Sequence, residues 1–259
     1  MSDDSSRSPQ APASFSPKGA QATWGPLTAL LVGTLAFIGA QFLAAFIIGV
    51  VVSAFGLKPS WLDSIAGQFY FVALSDLGIL LIIWAFLRGR GADFKQLGLG
   101  RRPIGGDVTK ALLGYAVYFA LFLMASALAG MFTHINLDQK QQIGFDYLNT
   151  SPEILMALLS LVILPPIVEE IMFRGFLFTG LRKKLTFVWA TLITSALFAA
   201  LHLLEGGGSL LWVAGLDTLF LSFVLCYLRE KTGALWASMM VHMLKNTIAF
   251  AFLLSHAIS

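Results

Sequence analysis

Seven stretches of this sequence stay apolar over lengths set by a lipid bilayer: 24–54, 68–87, 107–133, 152–180, 187–204, 210–228 and 233–256. About 20 mostly apolar residues in a helix cross the hydrocarbon. A segment inside hydrocarbon has no water to satisfy its peptide groups, so it must satisfy them itself as a helix. A transmembrane barrel would instead read as short alternating segments, and the sequence has none. Hydrophobic residues make up 57% of the chain and charged residues 12%, against about 45–50% and 25% in soluble domains. The expected fold class is all-α: a polytopic transmembrane helical bundle of about seven spans over 24–256. No internal repeat is visible.

Residues 1–23 are polar and rich in Ser and Pro. They lack the apolar core of a signal peptide and read as a disordered cytoplasmic tail. The apolar run after them is too long for a cleaved signal.

Charge orients the bundle. On one side of the seven spans lie Arg7, Lys18, Arg88, Arg90, Lys95, Arg101, Arg102, Lys110, Arg182, Lys183, Lys184, Arg229 and Lys231. The other side carries Lys58 and Lys140. Thirteen against two is a strong positive-inside bias. It predicts a multi-pass protein of the plasma (inner) membrane with a cytoplasmic N-terminus and the C-terminus outside. An eighth membrane segment, for which the long 24–54 run has room, would reverse the C-terminal side. Because the basic residues sit in short loops, the net charge of +3 argues for topology and against a nucleic-acid surface. The loop 88–106, rich in Gly and Arg, reads as a cytoplasmic connection and anionic-lipid contact. The lone Cys226 implies no disulfide and reads as helix filler.

Ionisable residues inside the spans are costly, about 2.5–3.5 kcal/mol each on insertion scales, and therefore carry a task or a partner. They gather after residue 150: Glu169, Glu170, Arg174, His202, Asp217, His242 and Lys245, with Asn246 beside them. Asp76 is the main exception in the first three runs.

Glu170 and Arg174 are four apart, with the acid first, so they meet on one helix face. A structural salt bridge and a role in a site both fit that spacing. Glu169 lies about 140° round an α-helix from Arg174 and is left without that partner. A carboxylate beside a second carboxylate in low dielectric is the electrostatic setting of a general base or acid. Pro165 and Pro166 remove two backbone donors just before it and predict a kink with an opened cavity. Phe198 precedes His202 by four residues and would pack on its ring; a lone histidine on an apolar helix is more often a core residue than a catalyst. His242 and Asn246, also four apart, can both donate hydrogen bonds toward one point, as an oxyanion site requires. Depth ties the three helices together. Counted from the cytoplasmic helix ends, Glu169 lies about 20 Å up, His202 about 22 Å, and His242 and Asn246 about 14 and 20 Å. Asp217 and Lys245 fall at a comparable depth and are expected to pair.

Glu169-Glu170-x-x-x-Arg174, then Phe198-x-x-x-His202, then His242-x-x-x-Asn246 resembles the CPBP family of intramembrane proteases. That family includes the type II CAAX prenyl endopeptidases and bacterial relatives linked to bacteriocin handling. The stretch REKTGALWASMMVHMLKN at 229–246 is similar to the family's approach to its last motif. The resemblance covers about 150–256. It implies an intramembrane endopeptidase, a peptide hydrolase acting on membrane-associated or C-terminally processed substrates. It implies that Glu169 activates a water with help from His202, that His242 and Asn246 hold the oxyanion, and that Glu170, Arg174 and Phe198 support the site. The family has been described both with and without a metal. Without a His-Glu-x-x-His helix a metal-free site is favoured. In a metal-dependent site zinc would be the ion and Glu169, His202 and His242 its ligands.

Two other functions compete. Buried Glu and His also build proton relays in transporters, but transporters often repeat their broken helices in both halves, whereas the polar residues here occupy one. A non-enzymatic partner of immunity or adaptor type would have tolerated loss of a catalytic residue, and none is missing.

Overall fold

The computed structural model describes residues 22–132, 145, 148, 150–205 and 210–257. Each apolar run becomes a helix: α1 (Pro26–Ala54), α2 (Ile65–Gly89), α3 (Gly105–Phe132), α4 (Ser151–Arg182), α5 (Phe187–Leu203), α6 (Trp212–Thr232) and α7 (Trp236–Ala257). The described residues contain no strand. The bundle is polytopic, and six of these helices are long and apolar enough to cross a membrane. The exception is α5: its 17 residues rise about 25 Å, short of the roughly 30 Å hydrocarbon thickness.

Local signals set the helix ends. Ser64 Oγ accepts Gly67 N–H at 3.1 Å. Thr150 and Glu153 form a capping box at the start of α4, which satisfies two otherwise orphaned donors. Gly233, with φ +66°, ends α6 in the left-handed conformation that glycine adopts at little cost.

The helix at the centre is α4, which packs against α1, α2, α5 and α7. Every residue from Glu170 to Phe178 is buried. This helix is not uniformly α-helical: Leu159–Ile163 and Glu170–Phe178 are wound as π-helix. Such widened turns recur where a helix interior is used for function, and here they flank the proline pair. The α-helical angle expected between Glu169 and Arg174 therefore does not apply to this segment, yet the acid that pairs with Arg174 is still Glu170. Against this centre α1 and α2 pack through small residues. A Cβ added to Gly78 of α2 would lie 2.8 Å from Ala40 Cβ of α1. Close backbone approach of this kind is how helices associate where lipid competes for every apolar surface.

The basic ends meet at one end of the bundle. Arg182 grips Glu230 through two bonds of 3.0 and 2.7 Å, a bidentate, charge-assisted contact. Buried Arg229 donates to Thr179 Oγ1 at 3.2 Å. Trp24, before α1, donates through Nε1 to Phe176 O at 3.0 Å. The helices alternate in direction from this end.

The loop 88–106 is more than a connection with lipid contacts. Leu97 is fully buried, Gly98 O accepts Leu235 N–H at 3.1 Å, and Arg101 O accepts from Trp236 Nε1 at 2.6 Å. Arg101 pairs with buried Asp107 through bonds of 2.6 and 2.7 Å, and that bonding raises its pKa. The physical reason is the glycines. Gly98 has φ +98°, and a Cβ added to Gly175 of α4 would lie only 3.1 Å from Leu97 O, so loop and helix pack closely. The tail expected over 1–23 lies outside the described residues except for its last two. Of these Ala22 is buried, and Thr23 N–H donates to Gln96 Oε1 at 3.3 Å.

Candidate active site

Four helices deliver the polar side chains to one place. On α7, His242, Lys245, Asn246 and Ala249 share a face by their spacing of three and four residues. On α4, Leu161, Pro165 and Glu169 do the same, and His202 stands at the last turn of α5. Together with Thr218 of α6 these residues line a single cavity of about 250 Å³. The layer expected from depth, with Glu169, His202, His242 and Asn246 on it, is thus also a common cavity.

Beneath the cavity lies a fully buried ion pair. Arg174 Nη1 donates to Glu170 Oε1 at 2.8 Å, with neither side chain exposed. His242 continues the network: its Nδ1 is 3.3 Å from the same Glu170 oxygen. Its Nε2 is 3.7 Å from Glu169 Oε2, too far for a hydrogen bond but close enough for charge to be felt. His242 therefore stands between the two adjacent carboxylates, and the two differ sharply. Glu170 is sealed and paired through Oε1, whereas the Glu169 side chain is 23% exposed; the Oε2 of each has no hydrogen-bond partner among the described residues.

Phe198 organises the aromatic side of the site. It packs on His202 with ring centroids 4.6 Å apart, meets His242 edge-on at 5.8 Å, and carries the Arg174 guanidinium 4.5 Å over its face. A cation over a ring face in a desolvated setting is favourable by roughly 2 kcal/mol. The other Arg174 contact to an aromatic, Phe173, is looser at 5.9 Å. His202 Nδ1 is 2.9 Å from Phe198 O. A carbonyl can only accept, so Nδ1 carries the proton and Nε2 of the neutral ring is the acceptor.

The proline pair explains Asn246. In an α-helix Leu161 O would accept the N–H of residue 165, but Pro165 has none. Asn246 Nδ2 supplies the missing donor at 2.8 Å. One amide N–H is thereby used in fixing the side chain, and the second is left for other work.

Asp217 and Lys245 pair at 2.9 Å, as their depths imply, and Tyr118 of α3 donates to the other Asp217 oxygen. Tyr118 was not legible as a site neighbour, because the charges of its own run, Asp107 and Lys110, stand at the start of that run, far from it. Glu205, one residue past the end of α5's cap, also lines the cavity; as the one acidic residue between 185 and 216 it could have been singled out. Asp76 is not among the lining residues, and its Oδ2 is buried without a hydrogen-bond partner.

Among the described residues no three His, Cys, Asp or Glu side chains are grouped to hold an ion. Of the conditional zinc ligands, His202 has Nδ1 on a backbone carbonyl and His242 has Nδ1 turned to Glu170, which leaves Nε2 of each ring uncommitted by those contacts.

Residues 151–248 match the family described as type II CAAX prenyl endopeptidase Rce1-like. Over 197 residues the chain is 25% identical to YdiL of Bacillus subtilis (strain 168), a protein assigned by its name to the membrane peptidases. That match covers 74% of this chain and 75% of YdiL. No solved structure matches.

Proposed function

We propose that this chain, whose residues 151–248 match the Rce1-like family, is a CPBP-family intramembrane endopeptidase that hydrolyses peptide bonds with a carboxylate-activated water. The carrying observation is that Glu169, His202, His242 and Asn246, from three helices, line one cavity above a sealed Glu170–Arg174 pair.

The division of labour follows from the partners. Glu170 is occupied by Arg174 and His242 and serves to hold them. Glu169 takes a proton from water in the cavity, and the hydroxide forms a new C–O bond at the peptide carbonyl. The carbonyl electron pair moves onto oxygen, where the second N–H of Asn246 and Nε2–H of His242 meet it. With Nδ1–H directed at Glu170, His242 donates through Nε2 only in its protonated form. The C–N bond then breaks, and the proton returns to the leaving amine from Glu169, directly or through His202 Nε2. A preorganised donor of this kind contributes about 10²–10³ in rate, and a positioned general base about 10²–10⁴.

The substrates are membrane-associated or C-terminally processed polypeptides. On this reading the chain sits in the plasma (inner) membrane with its N-terminus in the cytoplasm, the orientation that the charge bias supports. The test compares proteoliposomes holding wild type or Glu169→Ala, each incubated with a diverse library of peptides and membrane proteins. New termini read by mass spectrometry are expected with wild type alone. Identical termini in both samples, or none from a folded wild type, would leave the scaffold as a non-enzymatic membrane partner.

A further inference from the structure

Beside the catalytic cavity lies a second one, of about 290 Å³, between α3, α6 and α7. The two share His202, Thr218, Lys245 and Ala249, so they are neighbouring chambers of one space. Their linings differ. On α3 the residues Tyr115, Tyr118, Phe119 and Phe122 face the second cavity, spaced i, i+3, i+4, i+7 as one aromatic stripe. Opposite them, Ile248, Ala249 and Phe252 extend the α7 face that begins at His242. The polar groups His202, Thr218 and Lys245 sit where the chambers meet, with Asp217 beside Lys245 on the side of the second. A chain passing outward from Glu169 therefore crosses from polar to aromatic surroundings.

The position of the stripe is not the usual one. Tyrosine in membrane helices concentrates at the water interfaces, yet Tyr118 lies about 20 Å from the start of α3, level with Glu169. Its hydroxyl is satisfied by Asp217, which is held in turn by Lys245 at 2.9 Å. An ion pair this deep is costly to maintain and is not what an acyl chain needs. At the outer rim Phe119 and Phe252 are 44% and 65% exposed, so the chamber opens toward hydrocarbon.

We propose that this aromatic chamber is a specificity subsite for the peptidase, receiving one large apolar side chain of the substrate next to the scissile peptide. The assignment rests on the endopeptidase reading above. The Tyr118–Asp217–Lys245 cluster is its inner wall and keeps the side chain out of the catalytic cavity. Pockets that bind ligands by apolar walls with a few placed polar groups have this composition.

Ala214 lines the chamber and not the catalytic cavity, so Ala214→Trp fills the chamber from a position outside the catalytic lining. Proteoliposomes of wild type and Ala214→Trp are given the same peptide library. Wild type is expected to cleave with large apolar residues enriched at one fixed position from the cut. Ala214→Trp should lose those substrates by about tenfold or more while still cleaving peptides with a small residue there. Should Ala214→Trp fail to fold, Phe122→Ala should shift the preference toward still larger residues. Cleavage with no positional preference, or a preference that neither variant moves, overturns the subsite and leaves the peptidase standing. An arm independent of turnover uses Glu169→Gln and short random peptides carrying one p-benzoylphenylalanine. Photoadducts on Tyr115, Phe122 or Phe252 support the subsite even if wild type cleaves nothing, in which case the peptidase reading alone fails. Adducts elsewhere, or a chamber filled by co-purified lipid and closed to the probe, overturn it.

Discussion

Asn246 Nδ2 donates at 2.8 Å to Leu161 O, the carbonyl that Pro165 deprives of its helical donor. A residue proposed to act on substrate is thus also the patch for a broken helix turn, which holds its amide in place without consuming both protons. Asn246→Ala should lower kcat by about 10²–10³ and destabilise the bundle by about 1–3 kcal/mol, because a buried acceptor is left bare. Thermal unfolding in detergent and turnover measured together check this. Unaltered turnover would remove Asn246 from the oxyanion site, and unaltered stability would mean that Leu161 O finds another donor.

The two adjacent glutamates should respond differently to the same change. Glu169→Gln keeps the shape and is expected to fold normally while cleavage drops by about 10²–10⁴. Glu170→Gln leaves the Arg174 charge buried without its counter-ion, a loss of about 3–5 kcal/mol, so its main defect should be a lower unfolding temperature and yield. Equal stability of the two variants would contradict the assignment of Glu170 as the structural partner.

Asp217 and Lys245 form a pair of which little is exposed, 15% and 23%. Asp217→Asn and Lys245→Met should each destabilise, and the double variant should be milder than the sum of the two, because neither charge is then left alone. Unfolding measured for the three variants gives the coupling directly. Strictly additive effects would show that the pair is not an energetic unit.

No three potential ligands are grouped for a metal among the described residues, and no step of the proposed reaction is routed through one. Cleavage is therefore expected to survive prolonged treatment with strong chelators. Activity lost on chelation and restored by added zinc would sink the metal-free mechanism and require Glu169, His202 and His242 to regroup.

The helices were readable one by one because bilayer insertion is a local demand. Each run must be apolar over its own length, whatever its neighbours do, so 24–54 and 68–87 predict α1 and α2 with only end corrections. Glu170–Arg174 was equally legible, since a spacing of four survives even the π winding of that segment. The π winding itself was not, because it depends on what packs against the proline pair. Nor was the docking of Leu97 and Gly98 beneath α4, where a Gly- and Arg-rich stretch reads the same whether it faces lipid or protein.

The sequence by itself determined the class of the molecule, the order of its spans, and the three short motifs that place charge in hydrocarbon, because each is set by spacing within a single helix. Which side chains share a chamber was decided only by tertiary structure. The approach of α7 to α4 puts His242 between Glu169 and Glu170, and the approach of α3 to α6 sets Tyr118 against Asp217. Contacts between helices far apart in the chain depend on crossing geometry and on the fit of small residues such as Gly78 and Ala40, which no pattern along one helix encodes.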